Sequence, residues 1–383
     1  MRISWSVVYL LLWLYRCAYS VAAQLVIAQF TSLGDSGKYQ DGQFGELGDG
    51  TNLTASSIVE GPRAAATILA DGLGIIFSQF GGLYGSNIGF QTIAFFGIVA
   101  LLRATPPTMR VAMLGLAMLP SFTIWSSIAG KEALVVYAVG VLSALIIRMY
   151  DGTARFSVEA AIAVLLVFLF KNQYMPALLF MILGTVIADR VKQRALLVLL
   201  AGVLSMAMLW VFEERLGQEA LQIVPHFAGM GSSREAFWTE PQHVLTRAPL
   251  GMFLGFFGPT LRETAQGPLQ LASFIESTLF LGFLGLILLW RLPRMPVYMA
   301  LMGLFTLFWI LFATYPFGAM NSGSAIRYRT GYQLLVMAVI LVTMARPPYD
   351  SWRQARRRRR RDAAVTSGGP SLPGPGPGIG SQG

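Results

Sequence analysis

Three short stretches hold the side chains that could do chemistry. Leu33 to Tyr39 offers the carboxylate of Asp35, with the ring of Tyr39 one helical turn further on. A carboxylate so placed can take a proton from a hydroxyl or help hold a cation. Leu119 to Ala133 carries the small hydroxyl residues Ser121, Thr123, Ser126 and Ser127 and the aromatic Trp125, and ends in an ammonium beside a carboxylate, Lys131-Glu132. Asn321 to Thr330 carries Arg327 and Arg329, with Gly323 and two serines before them. Guanidinium forks match phosphate oxygens two bonds at a time, and exposed amides near glycine add donors. In an extended chain Arg-x-Arg points both guanidiniums one way. On a helix they diverge, although both still reach one anion.

Each stretch also has a plainer reading. Gly-Asp-Ser-Gly is common turn chemistry, Lys131 and Glu132 can neutralise each other across a turn, and the arginines can stabilise a loop through nearby acids. Lys171, in Lys171-Asn172-Gln173, is a further cation at the end of an apolar segment. Glu276 falls inside the start of another apolar segment and must be paired or line a cavity. Arg234, Trp238, His226, His243 and Arg247 are spread along one long polar loop. The two histidines stand 17 positions apart with no carboxylate at a zinc-like spacing, so no metal site is expected. No nucleotide-binding loop, dinucleotide fingerprint or Ser-His-Asp spacing is present, and no cofactor is expected.

The elements that must position these groups are membrane spans. The chain has 383 residues, 55% hydrophobic and 13% charged, with a mean hydropathy of +0.58. A soluble domain of this size has too little interior for so much apolar surface. The expected fold is therefore all-α, a polytopic transmembrane bundle of about ten spans with both termini cytoplasmic. The spans are read at 3–30, 88–102, 111–129 (bent by Pro120), 133–147, 157–170, 174–188, 195–212, 269–290, 297–314 and 332–345. The first is read as a retained anchor, because its apolar character resumes beyond Arg16. Arg16 must face the interior and find a partner, or snorkel from a tilted helix. The stretch 64–84, interrupted by Asp71 and glycines, reads as interfacial or re-entrant. The pair 157–188, broken at Lys171, is two short spans or a hairpin turning inside the membrane. Either returns the chain to the side it left.

Domain organisation follows from this. Residues 1–345 form the membrane domain, with outer loops at 31–85, 213–266 and 315–331, and a Gly/Phe-rich piece at 250–259 that could dip into the interface. Residues 346–383 form a basic, Pro/Gly-rich tail whose composition does not support a fold. The formal net charge of +10 invites a nucleic-acid reading, but six of the 29 basic residues form the single run Arg356 to Arg361 in that tail. Such a run beside a membrane holds a cytoplasmic end against anionic lipid. No nucleic-acid partner is expected. The lone cysteine, Cys17, forms no internal disulfide.

Alternate loops differ in charge. Arg2, Arg103 and Arg110, Arg148 and Arg155, Arg190 with Lys192 and Arg194, Arg291 with Arg294, and the tail lie on one side. By the positive-inside rule that side is cytoplasmic. All three chemical stretches, and Lys171, then fall on the opposite face, where positive charge runs against the insertion bias and calls for a reason.

Gly34-Asp35-Ser36 with Tyr39, Pro120-Ser121 through Trp125-Ser126-Ser127 to Lys131-Glu132, and Asn321 through Gly323-Ser324 to Arg327-Tyr328-Arg329 make the chain similar to bacterial Wzy-like polysaccharide repeat-unit polymerases. It also resembles membrane glycosyltransferases of the GT-C type, which place an acid in the first outer loop. This sequence has the single Asp35 where many of those enzymes have paired acids, and its long outer loop is short for a polymerase. The resemblance implies an enzyme of the bacterial inner membrane that polymerises or transfers an oligosaccharide carried on a polyprenyl diphosphate, outside the cytoplasm. It implies Asp35, then Glu132, as the acceptor's base. Lys131, Arg327 and Arg329 would hold the diphosphate, with Asn321 and Lys171 beside them, and Trp125 and Tyr39 would stack on sugar rings. Lipid-linked oligosaccharide and membrane lipid are the implied partners, with other polysaccharide-assembly proteins as further candidates. A transporter or flippase of the same lipid-linked sugar, or a glycan ligase, is the alternative.

Overall fold

Apolar runs of about 20 residues with helical periodicity and few glycine or proline breaks form helices, because the backbone then satisfies itself without water. The computed structural model bears this out. It describes residues 4–25, 36–41, 62–151, 153–154, 157–191, 193–222, 224–227, 233–234, 237–291, 295–344 and 362. In chain order the helices are α1 (Trp5–Leu25), α2 (Ser36–Asp41), α3 (Pro62–Ser78), α4 (Gly82–Ala104), α5 (Pro107–Ala117), α6 (Pro120–Ser126), α7 (Lys131–Asp151) and α8 (Val158–Lys171). After a 3-10 turn at Asn172–Tyr174 come α9 (Met175–Arg190), α10 (Arg194–Val211) and α11 (Glu213–Leu221). Then, past two single-turn helices at Val224–Phe227 and His243–Thr246, follow α12 (Ala248–Phe257), α13 (Pro268–Arg291), α14 (Val297–Met320) and α15 (Ser322–Met344). Among the described residues the only β pairing is one isolated bridge, Ser233 with Asn321.

Eight stretches are long and apolar enough to cross a membrane, or nine if α5 and α6, bent by 72° at their junction, count as one span. This is an all-α polytopic protein. The sequence reading counts ten. The difference lies at the α5–α6 bend and at residues 158–184, which pass as one apolar stretch by length. Packing nevertheless folds that stretch back on itself. Lys171 lies within electrostatic reach of Glu132, at the start of α7. The six residues between Asp151 and Val158 reach roughly 25 Å at most, so α8 begins near the end of α7 and climbs back along it. From the turn, α9 runs the other way: Gly184 packs on Met302, whose sulfur receives the Tyr150 hydroxyl at 3.2 Å near the end of α7. The expected return of the chain is what the helices do.

The bundle is built around α7 and α15, whose apolar windows are 78% and 89% buried, whereas that of α10 is only 11% buried. Leu204, Trp210 and Val211 on α10 are bare. In water this face would drive association, and in hydrocarbon it costs nothing. The tightest seam joins α4 to α7. A Cβ added to Gly97 would lie 2.4 Å from the Tyr137 Cα, and one added to Gly140 would lie 2.4 Å from the Gly97 carbonyl oxygen. Glycine is required there because two backbones touch.

Several boundaries differ from the sequence reading. The region 315–331, read as a loop, is helical: α14 runs through Pro316 to Met320, and α15 starts two residues later. The long loop 213–266 is largely helical, and α12 packs on α14 with Gly255 against Gly318. Ser233 and Arg234 dock on the α14–α15 corner. The Arg234 amide donates to Met320 O at 2.9 Å, and its Nη1 donates to Gly318 O and Ala319 O at 2.7 and 3.1 Å. These are end-of-helix carbonyls with no partner inside the helix. The interfacial stretch becomes α3, 17 residues that turn at 79–81 into α4. Residues 31–35 and 42–61 of the first outer loop and nearly all of the tail fall outside the described residues.

Candidate functional site

The start of α7 gathers side chains from five other elements, two of which bring charge. Glu132 sits in the first turn, where the helix dipole favours a carboxylate. Arg327, on the second turn of α15, holds it at two points: Nε donates to Oε1 at 2.9 Å and Nη2 to Oε2 at 3.3 Å. The guanidinium also lies 5.7 Å from the centre of the Trp125 ring, a cation–π contact. Of the pair the arginine is the more open, 23% exposed against 8% for the glutamate. Lys171 places its ammonium 4.5 Å over the Tyr328 ring, and feels the attraction of Glu132 and the repulsion of Arg327 and Lys131. Lys131 donates to the Thr67 hydroxyl of α3 at 2.8 Å. Tyr39 closes the group: a Cβ on Gly130 would lie 3.2 Å from Glu132 Oε2 and 3.8 Å from the Tyr39 ring. Among the described residues, Arg327 and Lys171 thus act on one carboxylate, with Lys131 close to Lys171 and the rings of Trp125, Tyr39 and Tyr328 around the group.

Arg329 belongs to a different group. Two residues apart on a helix means about 200° of rotation, so it leaves α15 on another face. There Nη2 donates to Ser121 Oγ at 2.8 Å and to Ser273 Oγ at 3.1 Å. Nη1 donates to Ser277 Oγ and to Phe256 O, and Glu276 lies 3.9 Å away. Glu276 in turn accepts from the Ser121 amide at 3.0 Å and from its hydroxyl. Both charges are nearly sealed from the surface. The expectation that Glu276 is paired holds. The expectation that Arg327 and Arg329 share one target does not describe this geometry.

Asn321 also serves the frame. Its Oδ1 accepts from the Ser324 amide at 2.8 Å, capping α15, while its backbone pairs with Ser233. Asp35 lies outside the described residues. Thr67 is not singled out in the sequence, and Tyr328 enters only as the middle residue of Arg327-Tyr328-Arg329. Tyr328 could have been noticed as an aromatic between two arginines, whereas Thr67 carries no signal on an ordinary amphipathic helix. The opposite end of the bundle has its own bases, each stacked on an aromatic: Arg103 over Tyr9, Arg110 over Trp5 and Arg194 over Tyr298, with cation-to-centroid distances of 5.6, 4.9 and 5.8 Å.

The fold and the cluster define a multi-helix protein suited to a membrane, with a cation-rich, aromatic-lined group at one end. No family model matches the chain, and no curated protein or solved structure matches it either. The similarity drawn from the sequence stands on the quoted residues alone.

Proposed function

We propose that the chain is a membrane glycosyltransferase that polymerises or transfers oligosaccharides from a polyprenyl diphosphate carrier, on the face away from the cytoplasm in a bacterial inner membrane. The observation that supports this is the convergence of Lys131, Lys171 and Arg327 around Glu132, beside Trp125, Tyr39 and Tyr328. Cations suit a diphosphate and flat rings suit a sugar. In the reaction an acceptor hydroxyl bonds to the anomeric carbon, the bond from that carbon to the diphosphate oxygen breaks, and the carrier leaves with the electron pair. Lys131, Lys171 and Arg327 take up the charge that develops on the leaving diphosphate. A carboxylate held two-fold by a guanidinium is a poor base, so Glu132 orients Arg327 and Asp35 takes the acceptor proton. Arg329 has no direct part in this scheme.

The test replaces Arg327 by Ala in the native host and sizes the surface polysaccharide. Long chains should disappear while single repeats are still exported and the protein still reaches the membrane. Full polymer yield from that variant would refute the proposal. The buried polar groups Arg16, Asn87 and Gln91 favour a second reading, a transporter of the same lipid-linked sugar, because such proteins keep polar groups at depth. Repeats trapped inside the cell on deletion of the chain would select it.

A further inference from the structure

Arg16 is fully buried, the twelfth residue of the 21 in α1. One nitrogen is accounted for: Nη2 donates to Ser126 O at 3.2 Å and to Ser126 Oγ at 2.7 Å, capping the end of α6 where its carbonyls lose their helical partners. The guanidinium also lies 5.7 Å from the Phe122 ring centre. Nε and Nη1 have no protein partner among the described residues, and no described carboxylate pairs with Arg16. Capping explains why the residue is there without neutralising it.

The neighbouring side chains have the same bias. Asn87 on α4 spends its Oδ1 on the Ala129 amide at 2.7 Å, leaving Nδ2 unpartnered. Ser127, next to the capped Ser126, and Ser86, next to Asn87, leave buried hydroxyls unpartnered. One turn along α4, Gln91 donates to Trp13 O and to Cys17 Sγ, each at 3.2 Å, which ties α4 to the Arg16 turn of α1. Its Oε1 has no partner among the described residues, and neither has the buried hydroxyl of Thr123 on α6. The seam of α1, α4 and α6 therefore presents an uncompensated cation and a surplus of donors in a region without solvent. Such a charge is expensive unless a counter-charge joins it.

We propose that this seam binds a small free anion of halide size against Arg16, with Asn87 and Ser127 as further donors. Depth selects the class of ligand. Arg16 lies nine residues from the end of α1 at Leu25, about 14 Å along the axis, below the level of a lipid headgroup. The test of this site does not depend on sugar transfer.

The experiment melts the purified full-length protein in zwitterionic nanodiscs, followed by tryptophan fluorescence, in sodium chloride, bromide or gluconate at equal ionic strength. The melting temperature should rise by about 3 °C or more in the halides over gluconate and saturate with concentration. Arg16→Gln should abolish the difference and Ser127→Ala should shift half-saturation to higher halide. If Arg16→Gln does not insert, broadening of the chloride-35 resonance by wild type against Asn87→Ala gives the same decision. Equal melting in all three salts, as water in the seam would give, overturns the proposal. So does stabilisation that appears only in nanodiscs of anionic lipid or with phosphate, which would make the ligand a headgroup or phosphate instead.

Discussion

Three arginines hold the seven-residue helix α6, and each does so through different chemistry. Arg16 caps its end at Ser126, Arg327 lies against Trp125, and Arg329 reaches Ser121 near its start. Of these, Arg329 is tied to a second buried charge, Glu276. Removing one member of a buried pair leaves the other uncompensated, which costs about 3–5 kcal/mol. Glu276→Gln and Arg329→Met should therefore each lower thermal stability strongly in detergent, while the double variant loses less than the sum. Additive losses would show that the two side chains are not coupled. Arg327→Ala should lose less stability than Arg329→Met and more function, because its guanidinium is partly open and Glu132 keeps Lys171 and the helix start beside it.

The elements owe their arrangement to close approaches that leave no room for a side chain. Gly140 on α7 meets the backbone of α4, whereas Gly282 on α13 has no atom within 4 Å of the position a Cβ would take. Gly140→Leu should prevent the bundle from assembling, seen as loss of folded protein after membrane extraction. Gly282→Ala should leave the yield unchanged, since it only adds helix propensity on an open face. A folded Gly140→Leu protein would mean that the α4–α7 seam is not as tight as described. The same pair of helices shows how far a sequence reading goes. The apolar runs that became α4 and α7 were visible as spans, but their mutual register depends on glycines that look like any others in a chain with 40 of them. Likewise a return of the chain at Lys171 is common to both sequence readings of 157–188, two short spans or a hairpin. Its direction came only from the short connection after Asp151 and from contacts with Glu132.

At the scale of the molecule, the described part of the bundle has one end rich in mixed charge and one end of arginines stacked on aromatics. Between the spans, Arg234 docks on the carbonyls of the α14–α15 corner and is itself held by an ion pair to Glu263, with Nε to Oε1 at 2.6 Å and Nη2 to Oε2 at 3.0 Å. Burial by itself would raise the Glu263 carboxyl. The Arg234 guanidinium, together with the amide and hydroxyl of Thr260, outweighs it and leaves the group below its ordinary value. A depressed folded value stabilises the protein above the unfolded pKa of about 4.3, and that stabilisation is lost as pH falls through the folded value. Melting temperature should therefore drop on acidification below about pH 4 in wild type. Glu263→Gln should start lower at neutral pH and show a shallower drop. Parallel curves would rule out this pair as the acid-sensitive fastening.

What the sequence determined by itself is what depends on composition and period. Hydropathy and run length set an all-α chain of many spans, since lipid allows few other solutions, and the three chemical stretches were legible because polar groups are costly next to such runs. The tertiary structure decided which of those groups meet. It joined Lys131, Glu132, Lys171 and Arg327 from three distant helices, sent Arg329 to Glu276 and gave Asn321 to a helix cap. The reason is geometric. Whether two nearby arginines share a target depends on whether their segment is extended or helical and on how that helix is rotated. Those quantities are set by packing against the rest of the bundle, and local sequence does not encode them.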